Sequence, residues 1–344
     1  MAAQTLETTA GETRVAGLLE RIGGVRPLHA ERARAELDIS LGGLRRSATG
    51  ALAWESSCLT PDRHPVEFAV TSATDEVRTV VDVVPPEADR RGAVDEAVRI
   101  AALFGSTGLP AGVAELLHRH QRGFTPRFGA WLGSRHTAAA TRHKLYVEVD
   151  PAAERGARLA AAVAPQAWHV LAGTGPVRLI GLALDGSDAV ELYVRPPYTD
   201  TALLQTLAGR AGLTRLASAL AAATVGTDDA AAGRNHAVSV ATAGPSVVAV
   251  AAFTFAHQRF RRDHRVRDAV LARARVERWP SAELYAAASL PLAHPAPLRR
   301  PLHTALSEVA LAGAPTIVHH VGMAPPPESR RGPASATTDR GEGR

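Results

Sequence analysis

Lysine is almost absent from this chain of 344 residues. The sequence has 39 basic residues of the lysine and arginine type, and every one of them except Lys144 is arginine. Arginine presents a wide planar fork, whereas lysine is a compact ammonium that can bind a phosphate as a point charge or change its protonation state when buried. Lys144 is therefore the first candidate for a functional residue.

Cysteine is equally scarce, and Cys58 is the single one. One cysteine excludes an internal disulfide framework and a cysteine-rich zinc site, and it predicts a reducing compartment. The sequence also lacks an N-terminal basic-then-apolar signal and any apolar run long enough to span a bilayer. We therefore expect a cytoplasmic protein without a membrane partner.

The charge balance raises the hypothesis of nucleic-acid binding, since the net charge is +5 and the isoelectric point is about 10.1. The 34 acidic residues, however, are mixed with the arginines along most of the chain. The densest basic run, residues 259–267, has helical spacing and contains Asp263, which favours the solvated face of a surface helix. A nucleic-acid binder with strongly salt-dependent affinity is thus the least favoured alternative, and we expect no nucleic-acid partner.

Hydrophobic residues make up 46% of the chain, enough for a substantial core, and the length fits two domains or one large closed architecture. Residues 325–344 consist mainly of proline, serine, glycine, arginine and threonine, which predicts a disordered tail. We expect a flexible N-terminus over residues 1–10 and a single domain over residues 11–324, as a monomer or a homodimer.

Beyond residue 60 the sequence alternates between strand pairs and helices with a period of about fifty residues, which indicates a repeat. The predicted strands are 65–71, 77–84, 127–133, 143–149, 177–184, 189–195, 236–242, 247–255, 282–289 and 316–323. The predicted helices are 93–104, 113–121, 152–163, 202–223, 262–276 and 302–311. The repeating unit is helix, strand, strand, helix.

Three of the predicted strands share one pattern of side chains. It reads Lys144-Leu145-Tyr146, Glu191-Leu192-Tyr193 and Glu283-Leu284-Tyr285. Alternation places the charges and phenols on one face and the apolar residues on the other. One interpretation is the solvated face of an amphipathic strand. The other is an α+β fold in which ten antiparallel strands close into a barrel surrounded by helices, with the polar faces lining the lumen.

The chain resembles the ABBA-type aromatic prenyltransferases, and more closely their indole (tryptophan dimethylallyl) branch. The resemblance covers about residues 65–325, and the segment Pro65-Val66-Glu67-Phe68-Ala69-Val70-Thr71, with Arg78 in the next strand, is its most specific part. The segment Lys144-Leu145-Tyr146 is similar to the family's Lys-x-Tyr strand. The resemblance implies a ten-stranded PT barrel that transfers a dimethylallyl or longer prenyl group from an allylic diphosphate to an electron-rich aromatic acceptor.

The resemblance also implies roles for particular residues. Glu67 would accept the hydrogen bond of an indole N–H, although it could instead form a lumen ion pair with Arg78. Arg78, Lys144 and Tyr146 would bind the diphosphate, and Tyr193 and Arg195 could add to them, although Arg195 could also face solvent beside Pro196. The residues expected to line the lumen are Trp131, Glu191, Tyr285 and His319, of which Tyr285 could also be a core residue.

No metal site or cofactor is expected. Classical isoprenoid synthases hold the diphosphate through magnesium on Asp-rich helices, but the only Asp-Asp pair, at 228–229, is followed by three alanines. Phosphate-cradling glycine loops, nucleophile elbows and zinc-helix motifs are also absent from the sequence. The resemblance implies that magnesium is dispensable for the chemistry.

The chain departs from the family pattern at the third strand pair. Where the family has Arg-x-Lys-x-Tyr, this chain reads Ala189-Val190-Glu191-Leu192-Tyr193 and keeps only the tyrosine. Aromatic residues are only 4% of the sequence, so that few rings are left to shield a carbocation. The alternative function is therefore a catalytically inactive barrel that binds a small aromatic or peptide ligand.

Overall fold

The computed structural model describes residues 9–224, 237–295 and 300–327. Ten antiparallel strands close into a barrel in which every strand pairs with its neighbours in the chain and β1 pairs with β10. The strands are β1 Val66–Thr71, β2 Val77–Val81, β3 Ala130–His136, β4 Thr141–Glu148, β5 Val177–Ala183, β6 Ala189–Val194, β7 Ala237–Ala243, β8 Ser246–Phe255, β9 His303–Leu311 and β10 Val318–Met323. The predicted helix-surrounded barrel of ten antiparallel strands is confirmed.

Helices lie between successive strand pairs and pack on the outer face of the barrel. They are α1 Ala10–Gly23, α2 Pro27–Ser40, α3 Gly42–Arg45, α4 Ala93–Leu103, α5 Ala111–Gln121, α6 Ala153–Val163, α7 Pro165–Leu171, α8 Thr201–Arg210, α9 Thr214–Thr224, α10 Ala256–Arg259, α11 Asp263–Glu277 and α12 Ala282–Ala288. The hydrophobic core fills the space between these helices and the outward face of the strands. Burial of that apolar area is the main term that stabilises the barrel.

Two predicted elements were wrong in type. Residues 282–289 were predicted as a strand, but Ala282–Ala288 is a helix, in agreement with the high helix propensity of its alanines. Residues 302–311 were predicted as a helix, but His303–Leu311 is the strand that pairs with β8 on one side and β10 on the other. Its apolar residues also fit helical spacing, so only the barrel partners decide between the two structures.

Other boundaries differ less. The single predicted helix over residues 202–223 is two helices, α8 and α9, which are separated at Gly212, whose φ of 72° ends the first of them. The helices α1, α2, α3, α7 and α10 were not predicted. The predicted strand start at residue 236 and most of the two predicted flexible ends lie outside the described residues.

A buried polar cluster fastens α2 to the outside of the barrel. The Glu36 carboxylate is fully buried, lies 2.9 Å from His143 Nε2 on β4, and also accepts a hydrogen bond from the Ser134 hydroxyl on β3. The other ring nitrogen of His143 is 2.7 Å from the Ser106 hydroxyl. Burial by itself raises the pKa of Glu36, but the hydrogen bond from His143 and the positive potential of His136 and His143 bring it below its usual value.

We expect Glu36→Ala to lower the free energy of unfolding by about 3 kcal/mol, because the buried polar partners of the carboxylate lose their acceptor. The pKa of Glu36 is depressed from 4.5, so its contribution is fully present above about pH 4.5 and is lost as the pH falls below that value. Urea unfolding at pH 7 and at pH 4 measures both effects. The control is Glu31→Ala on the exposed side of the same helix; equal losses in the two variants would contradict the role of the cluster.

Candidate active site

The inward faces of β2, β3 and β4 carry a row of three arginines. Arg78 pairs in register with Arg135, and Arg135 pairs with Arg142 on the next strand, so the three side chains leave the sheet on the same face. The next inward row contains Lys144 of β4, Gly133 of β3, Val80 of β2 and, on the neighbouring strand β1, Glu67. The basic side chains therefore share one wall of the lumen, with Arg135 and Arg142 at its exposed end.

Two of the three arginines make no ion pair with a described residue. Arg78 Nε lies 2.7 Å from Glu76 Oε1, and Arg78 Nη1 is 3.5 Å from His320 Nδ1. Neither Arg135 nor Arg142 forms a salt bridge with a described acidic residue, although the charge of the exposed Asp185 acts on Arg142. Burial lowers the pKa of Arg78, and the charge of Arg135 lowers it further. Adjacent guanidinium groups repel each other, so the row favours an anion that bridges them.

Lys144 lies at the centre of an aromatic and acidic cluster. Its ammonium contacts the Glu191 carboxylate of β6, lies 3.3 Å from the Tyr193 hydroxyl, and sits 5.1 Å and 5.6 Å from the ring centres of Tyr146 and Tyr193. Both phenol rings also face the lumen. Burial, followed by the charge of Glu191, raises the pKa of Tyr193 well above its usual value, so its hydroxyl keeps the proton that it can donate to an anion.

Glycines on the strands beside Lys144 make room for these side chains. Lys144 lies over Gly181 of β5, where an added Cβ would overlap the Lys144 Cε and come within 3.0 Å of its Nζ. Gly133 has the same relation to Tyr146, since a Cβ there would come within 2.5 Å of the ring. The absence of a side chain at both positions therefore sets where Lys144 and Tyr146 lie.

We expect Gly181→Ala to displace the Lys144 ammonium and to weaken the binding of inorganic pyrophosphate roughly tenfold, which is one lost charge-assisted contact. The fold should survive, because the neighbour that must move is the end of a flexible side chain. Calorimetric titration measures the affinity, with Gly209→Ala on the exposed side of α8 as the control, where an added Cβ meets nothing within 4 Å. Unchanged affinity in Gly181→Ala would show that Lys144 does not contact the anion.

Glu67 points into the lumen from β1, one inward row away from the arginines. It forms no ion pair with Arg78, which contacts Glu76 instead, so the alternative of a Glu67–Arg78 pair is wrong. Burial raises the pKa of Glu67 to about 7, and the neighbouring Thr304 hydroxyl lowers it by a smaller amount. Gly322 on β10 leaves space for both groups, since a Cβ there would overlap the Thr304 hydroxyl and lie 3.1 Å from the Glu67 carboxyl carbon.

Aromatic rings line the part of the lumen beside Lys144. The Tyr146 and Tyr193 rings meet edge to face at 6.0 Å, and Tyr193 lies 5.6 Å from Phe253 of β8. Trp131 of β3, which pairs in register with Tyr146, stacks on Phe128 at 3.8 Å. The negative faces of such rings stabilise a cation. The structure therefore places Trp131, Tyr146, Tyr193 and Glu191 where the sequence predicts them, on the lumen.

Two predicted lumen residues lie elsewhere. Tyr285 is on helix α12 outside the barrel, where its hydroxyl is 2.8 Å from His303 Nε2 and the ring is buried in the core. His319 faces outward from β10 and stacks on Trp279 at 5.6 Å. Adjacent strand residues point to opposite faces, so it is His320 that reaches the lumen. Arg195 follows the last residue of β6 and is exposed at the barrel end.

Sequence reasoning did not find four residues of the site: Glu76, Arg135, Ser239 and His320. Ser239 of β7 donates a hydrogen bond to Glu191, and Glu76 holds Arg78. Alternation along the strand could have found Ser239 and His320, since each lies on the inward face of a correctly predicted strand. Arg135 lies two residues beyond the predicted end of its strand at residue 133, and only the longer β3 places it on the inward face. Glu76 precedes its strand, and nothing in its local pattern indicated the contact.

Within the described ranges, no group of three or more potential metal ligands comes together. The helices found in those ranges also include none that is long and apolar enough to cross a bilayer.

Comparisons with known proteins find similar structures but no similar sequence. No protein-family model and no curated protein sequence matches the chain. Solved structures do: PriB in its ternary complex with L-tryptophan and dimethylallyl thiolodiphosphate has 19% identity and a TM-score of 0.69, and covers 92% of this chain and 96% of its own. The 5-dimethylallyl tryptophan synthase of Streptomyces coelicolor, in complex with DMASPP and tryptophan, has 15% identity and a TM-score of 0.73, covering 97% and 99%.

A third structure, the 6-dimethylallyltryptophan synthase of Micromonospora olivasterospora with DMASPP and tryptophan, has 18% identity and a TM-score of 0.67, and covers 92% of this chain and 97% of its own. At these identities the likeness establishes architecture, and it extends over nearly the full length of each chain. The protein therefore has the ten-stranded PT-barrel fold of the aromatic prenyltransferases.

Proposed function

We propose that this protein is an aromatic prenyltransferase that moves a dimethylallyl or longer prenyl group from an allylic diphosphate to an indole-type acceptor. The observation that carries the proposal is the lumen itself. A row of arginines and the only lysine of the chain lie on one wall, and a carboxyl group, Glu67, lies one row away on β1. Such a lumen can hold an anionic leaving group beside an N–H donor.

The lumen wall formed by Arg78, Arg135, Arg142 and Lys144, here called the basic wall, would bind the diphosphate. Arg78, Arg135 and Lys144 supply positive charge, and Tyr146 and Tyr193 supply hydroxyl donors within the same region. When the C–O bond of the donor breaks, both electrons leave with pyrophosphate, and fixed cations stabilise the negative charge that develops on it. Because cationic side chains would stabilise the leaving pyrophosphate, we expect the reaction to proceed when EDTA removes divalent metal ions. Arg195 follows the end of β6, whereas Arg78 and Arg142 lie at the starts of β2 and β4, which run in the same direction. Arg195 therefore lies at the opposite end of the barrel from the arginine row, and we do not include it in the basic wall.

The aromatic wall would shield the allylic cation. Tyr146, Tyr193, Phe253 and Trp131 surround the space next to Lys144 with ring faces. A ring carbon or nitrogen of the acceptor then bonds to the cation, and the acceptor loses one proton to restore aromaticity. Glu67 in its ionised form would accept the indole N–H, hold the ring in position and increase its electron density.

Mass spectrometry tests the proposal directly. The purified protein is incubated with dimethylallyl or geranyl diphosphate, L-tryptophan and a panel of indoles and tryptophan-containing peptides, in the presence of EDTA. A mass increase of one prenyl group on an acceptor supports the transferase. Binding of an aromatic ligand without product from any acceptor would support the alternative, a catalytically inactive barrel.

One observation favours that alternative. Glu191 contacts Lys144 in the position where a further cation would strengthen the basic wall, so part of the positive charge is neutralised within the protein. We nevertheless favour the enzyme, because a barrel that binds only a neutral aromatic ligand needs no arginine row.

We infer the remaining properties from the composition of the chain and the packing of its core. The single cysteine supports a cytoplasmic location, and the mixed charges support a small-molecule substrate instead of a nucleic acid or a membrane surface. The hydrophobic core that joins α1 to β10 supports one domain over residues 11–324. We expect a monomer or a homodimer.

A further inference from the structure

The ion pair between Lys144 and Glu191 has a second consequence for the basic wall. Seven charged residues other than Glu67 belong to the basic wall or interact with it: Arg78, Arg135, Arg142, Lys144, Glu76, Glu191 and Asp185, whose charge acts on Arg142. Their formal charges leave a net of one positive charge, four positive minus three negative. A diphosphate ester carries about three negative charges above the last phosphate pKa of about 6. The basic wall therefore carries less positive charge than its proposed ligand carries negative charge.

Glu191 is the acidic residue that neutralises Lys144. Its carboxylate contacts the Lys144 ammonium of β4 and accepts a hydrogen bond from the Ser239 hydroxyl of β7. The Tyr193 hydroxyl on its own strand also interacts with the carboxylate and lowers its pKa. On β5 the residue opposite Glu191 is Gly181, which contributes no side chain, and on β4 the second titratable group is Tyr146. No other described acidic group contacts Lys144.

Diphosphate and the Glu191 carboxylate would compete for the same ammonium. Two anions that share one cation in a buried site do not both stay ionised, because their repulsion raises the pKa of the weaker acid. Burial already favours the neutral form of Glu191, and it is the charge of Lys144 that keeps its pKa below the usual value. Once Lys144 turns to the phosphate oxygens, that opposing effect is lost.

We propose that diphosphate binding protonates Glu191: one proton from solvent neutralises the carboxylate, and the Lys144 ammonium moves from Glu191 to the diphosphate. The Lys144 ammonium keeps its charge, so the net charge of the wall becomes more positive by one and moves toward the value that balances the ligand. The proposal rests on the proposed function, since it takes the diphosphate as the ligand of this wall. Glu191 is then a positioning residue that sets the pH range in which the donor binds.

The test is calorimetric titration of inorganic pyrophosphate into the full-length protein in buffers of different ionisation enthalpy, which gives the number of protons taken up. Wild type and Glu191→Gln are compared, so that proton exchange of pyrophosphate itself cancels. We expect wild type to take up about one proton more than the variant, and its affinity to fall more steeply, by up to tenfold per pH unit, between pH 6.5 and 8.5. At pH 7.5 the variant should bind on the order of tenfold more tightly.

Ser239→Ala is a second variant that leaves both charged groups in place. It removes one hydrogen bond that stabilises the ionised carboxylate, so the affinity for pyrophosphate at pH 7.5 should rise in the same direction as in Glu191→Gln. Equal proton uptake in wild type and Glu191→Gln, or weaker binding by both variants, would overturn the inference and leave the transferase proposal standing. No binding of pyrophosphate by any of the proteins would overturn both. Proton-linked binding without prenyl transfer would overturn only the transferase.

Discussion

Lys144→Ala lowers kcat/KM for the prenyl donor by about 10²- to 10³-fold, the size expected when one fixed donor to a developing anion is removed. The reason is that Lys144 is the ammonium at the centre of the lumen cluster, where the aromatic rings exclude much of the water that would otherwise screen its charge. The kinetics of the purified variant, with the acceptor saturating, measure the effect.

The control for Lys144→Ala is Arg119→Ala. Arg119 is an exposed cation on α5, and its loss changes the net charge of the protein by the same amount. Its activity should equal that of wild type. Thermal unfolding of both variants separates lost chemistry from lost fold, because Lys144→Ala also leaves Glu191 without its ammonium. A folded Lys144→Ala variant with wild-type donor kinetics would contradict the assignment of the basic wall.

Glu67→Gln is the second substitution with a large expected effect. We expect kcat/KM for an indole acceptor to fall by about 10²- to 10³-fold, because the amide cannot supply the negative charge that holds the N–H and enriches the ring. An acceptor methylated on the indole nitrogen is the matched control. It has no N–H to donate, so the variant should lose much less activity with it.

The pH dependence gives an independent check on Glu67. Burial raises its pKa to about 7, so the carboxylate that accepts the N–H forms as the pH rises through 7. At saturating donor, kcat/KM for the indole should increase from pH 6 to pH 8 in wild type and stay flat in Glu67→Gln. The same raised pKa makes the fold lose stability as the pH rises from about 4.5 to about 7, and the loss is complete above pH 7. Glu67→Gln should therefore unfold at a higher temperature than wild type at pH 8. A flat wild-type profile would exclude Glu67 as the group that orients the acceptor.

The barrel was predictable because its strands keep a strict alternation. In Lys144-Leu145-Tyr146 and Glu191-Leu192-Tyr193 the polar residues share one face, and that parity is what places them on the lumen in the structure. The similar triplet Glu283-Leu284-Tyr285 was misleading, since it lies in an alanine-rich helix. Three residues are too few to distinguish a period of two from a period of 3.6.

The parts of the site that escaped prediction depend on contacts between distant segments. His319 and His320 are the same residue type, and only the register of β10 with β1 and β9 shows that His320 faces inward. The contact between Lys144 and Glu191 joins β4 to β6 across the glycine at position 181. Sequence pattern placed both residues on the lumen, but their contact depends on the curvature of the closed barrel.

The central claim is that the lumen transfers a prenyl group, and its most direct test is to measure prenylated product and released pyrophosphate in the same reaction. With dimethylallyl diphosphate, L-tryptophan and EDTA, the account predicts equal amounts of both from wild type, and about 10²- to 10³-fold less of both from Lys144→Ala in the same time at subsaturating donor. Pyrophosphate released without prenylated product would indicate a diphosphate hydrolase. Neither product from wild type, with any indole acceptor, would contradict the account.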